Sequence, residues 1–166
     1  MVILGIDPGL SVTGYGVIEI VNQKVICRGF GGIYNKGRKK EIADKLQTIY
    51  DGVCQVIDEF HPQVCAIEEV FYHENVNTAI VMGHARGVAM VAARKSGLEV
   101  FEYAAREIKM SIVGFGAASK HQVQAMVQSL LQMSQPPRPQ DAADALAVAL
   151  CHYHRLKFHQ LTRNMK

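Results

Sequence analysis

No stretch of the chain carries the roughly 18 uninterrupted apolar residues that a membrane span needs. The N-terminus also lacks a basic region followed by a cleavable apolar stretch. Both absences lead to the expectation of a cytoplasmic protein with no membrane partner. A zinc site and a disulfide framework are missing too. The four cysteines, Cys27, Cys54, Cys65 and Cys151, lie far apart with no C-x-x-C pair. Three of them sit inside apolar segments, so they read as small buried hydrophobes in a reducing compartment. Nor is the composition that of a disordered chain, with 49% apolar and 20% charged residues. Internal repeats and low-complexity tracts are absent. A length of 166 residues suits one domain with a single sizeable core and is too short for two full lobes. One domain over residues 1–166 is expected, with a basic tail from about 155.

The net charge of +3 is mild but unevenly placed. Lys36, Arg38, Lys39 and Lys40 cluster without an acid among them. Arg155, Lys157, Arg163 and Lys166, with His152, His154 and His159, form a second group. Clustered cations suggest a polyanion partner, although solvated loops and a frayed basic tail give the same pattern.

The stretch MVILGIDPGLSVTGYG organises the rest. Val2 to Ile6 reads as a strand buried on both faces that ends in a carboxylate, Asp7, followed by Pro8-Gly9. Asp-Pro-Gly is ordinary turn chemistry. It also leaves the small and polar residues from Leu10 to Gly14, with the hydroxyls of Ser11 and Thr13, placed to face whatever Asp7 faces. Tyr15 to Val21 and Val25 to Tyr34 read as a hairpin turned by Asn22-Gln23-Lys24. From Glu41 the period changes. Ile42, Leu46, Ile49, Val53, Val56, Ile57 and Phe60 recur at helical steps until His61-Pro62. Val64 to Ile67 is the next strand, ending at Glu68-Glu69, and the intervening helix makes it a crossover strand parallel to one of the first three. Its carboxyl end then shares a sheet edge with Asp7, the edge where open sheets with crossovers put their sites.

After a loop from Phe71 to Asn77, an Ala- and Gly-rich helix is expected over 78–96 and a fifth strand over Leu98 to Tyr103. A short helix and glycine-flexed turn should fill 104–116. Ser119 with Gln122 forms a capping box opening a helix to about Met133. A proline-rich connector then leads to a last helix from Gln140, with Asp141 and Asp144 on one face of its first turn. Acids there complement the helix dipole. The bare surface of Ala142, Ala143 and Ala145 also suits direct packing on the sheet, which would bring Asp141 and Asp144 to Asp7 and Glu68. Two unit charges 4 Å apart repel by about 4 kcal/mol at an effective dielectric near 20, so such a group needs compensation. An all-oxygen set favours Mg²⁺ or Mn²⁺ over zinc. Two such ions would serve in-line attack on a phosphodiester.

With these residues in view, the chain resembles the bacterial RuvC Holliday-junction resolvases. The resemblance rests on ILGIDPGLSVTGYGVI at 3–18, AIEEVF at 66–71, GHARGVAMVAA with FEYAAREIKMSIVGFGAASKHQVQ within 83–124, and DAADALAVA at 141–149. It implies a ribonuclease-H-like α/β fold with a five-stranded mixed sheet flanked by helices. It also implies a Mg²⁺-dependent homodimer that nicks opposed strands of a four-way DNA junction, and a branch-migration motor as partner. The family's catalytic acids fall on Asp7, Glu68, Asp141 and Asp144, its active-site lysines on Lys109 and Lys120, and its stacking aromatic on Phe71, with Tyr72 beside it. The helix over 78–96 corresponds to the family's dimer interface, although packing on its own sheet would suit its small residues equally. Residues 35–44 and the tail after about 155 depart from the family pattern. DNA contacts at Lys39 and Lys40 are expectations from charge, and Arg86 is expected as a further DNA contact. A related nuclease acting on structured RNA and one lobe of an actin-like ATPase or sugar kinase are alternatives that share the opening motif, and junction binding without cleavage is a third.

Overall fold

The computed structural model describes residues 1–35, 41–69 and 76–163. In chain order the elements are β1 (Val2–Asp7), β2 (Val12–Val21), β3 (Lys24–Tyr34), α1 (Ile42–Phe60), β4 (Val64–Glu69), α2 (Val76–Lys95), β5 (Glu99–Ala104), α3 (Ala105–Val113), α4 (Lys120–Leu130) and α5 (Gln140–Arg163). The strands form one mixed sheet in the order β3-β2-β1-β4-β5. The first three make an antiparallel meander, while β4 runs parallel to β1 and β5 parallel to β4. This is the sheet the sequence led us to expect.

Local chemistry accounts for most boundaries. Asn22 and Gln23 both have positive φ, 50° and 66°, the conformation of a two-residue hairpin turn that matches strand twist. His61 closes α1 in the left-handed region, its N–H donating to the Ile57 carbonyl. Ser119 and Gln122 form the capping box, with Gln122 N–H donating to Ser119 Oγ at 3.2 Å and Ser119 N–H to Gln122 Oε1 at 2.8 Å. Two expectations are corrected. The helix opened by Ser119 stops at Leu130 rather than Met133, because Gln132 turns left-handed at φ 51°. And β2 begins at Val12, not Tyr15, because Val12 to Gly14 pair with Gly32 to Tyr34. Thr13 therefore does not face what Asp7 faces. It is fully buried among Leu4, Ile6 and Val53, its hydroxyl donating to the Gly9 carbonyl at 2.8 Å.

The sheet separates two apolar layers. On one face α1 and α2 cover Leu4, Ile6, Val17, Cys65 and Ile67. On the other, α3, α4 and α5 pack with Ile3, Ile18, Ala66 and Tyr103. The alanines of α2, Ala85, Ala89, Ala92 and Ala93, are buried in the first layer, so its small-residue face serves its own domain. α5 is the central helix of the second layer, buried at Ala142, Ala143 and continuously from Ala145 to His152. Burying Leu146 or Leu150 in full is worth roughly 1.5–3 kcal/mol each.

What lets α5 lie so close is a floor of glycines. A Cβ at Gly5 would strike the Ala145 carbonyl oxygen, and one at Gly14 the backbone of Asp141. At Gly16 it would come within 2.7 Å of the Leu146 nitrogen. Glycine inside a strand marks this kind of close backbone approach.

Candidate active site

Asp7 ends β1, and Glu68 lies one residue before the end of β4. Ile6 pairs with Ile67 in parallel register, so the two carboxylates follow at the same level on neighbouring strands. Their faces follow from the pleat. Gly5 and Ala66, two residues earlier on each strand, face α5, so Asp7 and Glu68 do too. Glu69 points to the opposite face. The first turns of α5 bring Asp141 over Gly14, which is the cross-strand partner of Asp7. Asp144 follows one turn later on the same side.

The electrostatics record this convergence. Burial, then repulsion from Glu68, Asp144 and Asp141, pushes the Asp7 carboxyl up to about 8, against the relief supplied by Lys120. Glu68 is also raised, by burial first and Asp144 second, with a hydrogen bond from Asp7 and the charges of Lys120 and Lys109 opposing. The two carboxyls share a hydrogen bond, and burial together with the neighbouring acids makes both harder to ionise than a free carboxyl. Lys120 Nζ lies 3.2 Å from Asp144 Oδ2, an ion pair that raises the lysine's own pKa. The Gln140 amide donates to the other oxygen, Oδ1, at 3.4 Å. Both oxygens of Asp144 are thus engaged.

Beside the acids is a cleft of about 70 Å³ lined by Glu68, Lys109, Lys120 and Asp144, with Ala105 and Ala147 among its apolar walls. Lys109 comes from α3 and Lys120 from the first residue of α4. Among the described residues no three acidic, histidine or cysteine side chains already form a metal shell. The acids are grouped, but not closed round a common point.

The structure thus brings together Asp7, Glu68, Asp141, Asp144, Lys109 and Lys120. Arg86 is placed elsewhere. It forms an ion pair with Glu102 of β5, next to Ile67 and on the sheet face away from the acids, and its Nε is buried without a hydrogen-bond partner. Lys39, Lys40, Phe71 and Tyr72 lie outside the described residues. Sequence reasoning missed Gly5, Gly14 and Gly16, whose signal was glycine at interior positions of otherwise apolar strands. It also missed Gln140, which had no signal beyond standing one helical turn before Asp144.

Comparison with known proteins bears on what this edge does. The family model described as "Crossover junction endodeoxyribonuclease RuvC" matches residues 3–152. A crossover junction endodeoxyribonuclease RuvC from Legionella pneumophila is 52% identical over 153 residues, covering 92% of this chain and 87% of the relative. One from Alkaliphilus oremlandii is 43% identical over 161 residues, covering 97% and 98%. The solved structure of Thermus thermophilus RuvC in complex with Holliday junction substrate superposes with a TM-score of 0.89 at 31% identity, covering 96% of each chain. The yeast mitochondrial Holliday junction resolvase Ydc2 shares the fold at 14% identity, with a TM-score of 0.69 over 98% of this chain and 82% of that one.

Proposed function

Because the chain belongs to the RuvC family of crossover junction endodeoxyribonucleases, we propose that the acid-lined sheet edge is where it cuts DNA. The protein is a ribonuclease-H-like endonuclease that resolves four-way (Holliday) junctions by paired, symmetry-related nicks in recombination and repair. The observation that carries the placement is the meeting of Asp7, Glu68, Asp141 and Asp144 at one edge, with Asp7 buried against three other acids. An apolar core has no use for such a group, and a site needing anionic oxygen ligands does.

Nucleases of this family depend on divalent metal. The donor set fits a hard cation: it is all oxygen, crowded and relieved by few cations, which favours Mg²⁺, with Mn²⁺ as substitute, over zinc. Asp7, Glu68, Asp141 and Asp144 would hold it, and four carboxylates suffice for two ions. Bound there, such ions supply a nucleophilic water at neutral pH and charge neutralisation at the leaving oxygen. The chain's own residues do the rest. Lys109 and Lys120 line the cleft beside the acids and receive the non-bridging oxygens of the cleaved phosphate. Gln140 holds the Asp144 carboxylate in its rotation while Lys120 turns from acid to phosphate. The apolar wall of α5 keeps the acids' inner side dry, which strengthens each of these contacts.

Two nicks at related positions need two such edges, so the working unit is a homodimer. A strip on α2 suits the contact: Val76, Ile80 and Val91 are more than half exposed, and Gly83 and Gly87 have open space where a Cβ would be. Phe71 and Tyr72 would stack on bases near the crossing, and a branch-migration motor would deliver the junction in the cytoplasm. The test compares nicking of a mobile four-way junction with matched linear duplex, with and without Mg²⁺, mapping the cuts. Paired cuts on the junction alone, only with Mg²⁺, are expected. Equal cutting of the linear duplex would overturn the junction reading.

A further inference from the structure

The connection from α3 to α4 carries a feature that the acids and lysines leave unused. Phe115 is 59% exposed there, and its neighbour Met110 is 50% exposed. The ring is presented by a tightly made turn. Gly114 caps α3 at φ 79°, its N–H donating to the Met110 carbonyl at 2.9 Å. The Ala118 N–H then donates to the Phe115 carbonyl at 3.1 Å, closing a four-residue turn. Gly116 lies against the Arg106 side chain, where a Cβ would come within 2.9 Å of Cγ. Arg106 belongs to the first turn of α3, where the chain has just left β5 at the acid-bearing edge. The loop is therefore folded back toward that edge, and it joins the two elements that supply Lys109 and Lys120 to the cleft.

An exposed aromatic ring on a fixed turn, joining the helix that carries Arg106 and Lys109 to the one that opens with Lys120, has the chemistry of a single-strand nucleic-acid contact. The cations hold successive phosphates and the ring offers a face to the base between them. The one acid of α3, Glu107, is engaged by Arg155 and does not offset these cations. Where strands exchange at a four-way crossing, the flanking bases lose a stacking neighbour, so a platform there replaces a lost contact.

We propose that Phe115 is a stacking platform for a nucleobase next to the phosphate cut at the acid edge. The proposal rests on the nuclease reading above. Stacking of this kind tolerates any base, so Phe115 contributes grip and strand position rather than sequence preference.

The experiment places 2-aminopurine beside the mapped cut in a four-way junction and reads its fluorescence and the junction affinity in chelator, where no cutting occurs. The wild-type chain is expected to quench the probe. Phe115→Ala should remove the quenching and weaken junction binding about tenfold, and Phe115→Leu should behave the same way because it keeps apolar area without a ring. Phe115→Trp should retain both signals. If Phe115→Ala, with wild-type melting temperature and elution volume, quenches and binds as wild type does, the platform is overturned while the nuclease stands. Weakened binding with unchanged quenching overturns it equally, because the ring then acts away from the cut. A wild-type chain that makes no paired cuts on the junction brings down the nuclease reading, and this proposal with it.

Discussion

Asp7 shows how one residue can work against its own fold. Its carboxyl is raised from an ordinary 3.8 to about 8, so the folded state holds a proton that the unfolded chain has already released. The stability this contributes is fully present below about pH 3.8 and is lost as pH rises through about 8. His152 and His154 shift the other way, both depressed mainly by burial, so their contribution is present above the ordinary histidine value of 6.5 and fades as pH falls. Comparison with Asp7→Asn separates the two. In metal-free buffer the melting temperature of the variant minus that of wild type should climb between pH 4 and 8 and then level off, and Mg²⁺ should flatten the climb by binding the folded acids. A difference that stays constant with pH would show that Asp7 is not strained in the fold. The same variant should lose nicking while binding the junction within a few fold of wild type, measured by gel shift and cleavage assay. Near-wild-type nicking would remove the acids from the chemistry.

Among the elements, α5 decides whether there is a site. Its buried face runs almost unbroken from Ala142 to His152, and Asp144 is the one acid set within it. A helix of this kind normally stands off a sheet by the thickness of two side chains. Here Gly5, Gly14 and Gly16 on one side and alanines on the other remove that layer. Gly14→Ala would force Asp141 and the helix start outward. The overpacking is expected to cost about 3 kcal/mol, or roughly 6–12 °C in melting temperature. Nicking should fall more steeply than junction affinity, because Asp141 would lose its level with Asp7. Calorimetry and single-turnover cleavage check the two parts. An unchanged melting temperature would mean that the helix is not seated on the strand.

For the whole molecule, the acid edge and the outer strip of α2 fall to different faces of the sheet, so the proposed second copy on α2 would leave each cleft open. Ile80→Glu puts a charge in the middle of that strip without touching the buried alanines. Sedimentation should then report a monomer. The variant should still bind a junction but cut one strand at a time, giving nicked intermediates in place of paired products. A dimer that persists, with paired cuts, would move the interface elsewhere. Among the described residues no helix is long and apolar enough to cross a membrane.

How much was legible beforehand follows from the range of each interaction. Strand and helix periods, the Ser119 capping box, the polar hairpin connection at Asn22-Gln23-Lys24 and the end of α1 at His61-Pro62 are local, and the sequence by itself determined them, along with the strand-helix-strand crossover that makes β4 parallel. It also singled out Asp7, Glu68, Asp141 and Asp144, because an acid at the end of an apolar run is visible without coordinates. Three things needed the tertiary structure. The extension of β2 to Val12 depends on β3 as a partner, and it turned Thr13 into the core. The pairing of Arg86 with Glu102 depends on α2 lying over β5. The glycine floor of β1 and β2, through which α5 makes backbone contact and the expected meeting of the four acids is realised, joins residues more than 120 positions apart in the chain. Local propensity is written along the chain, whereas the distance between a helix and a sheet is set by what both surfaces lack, and that is settled only when they touch.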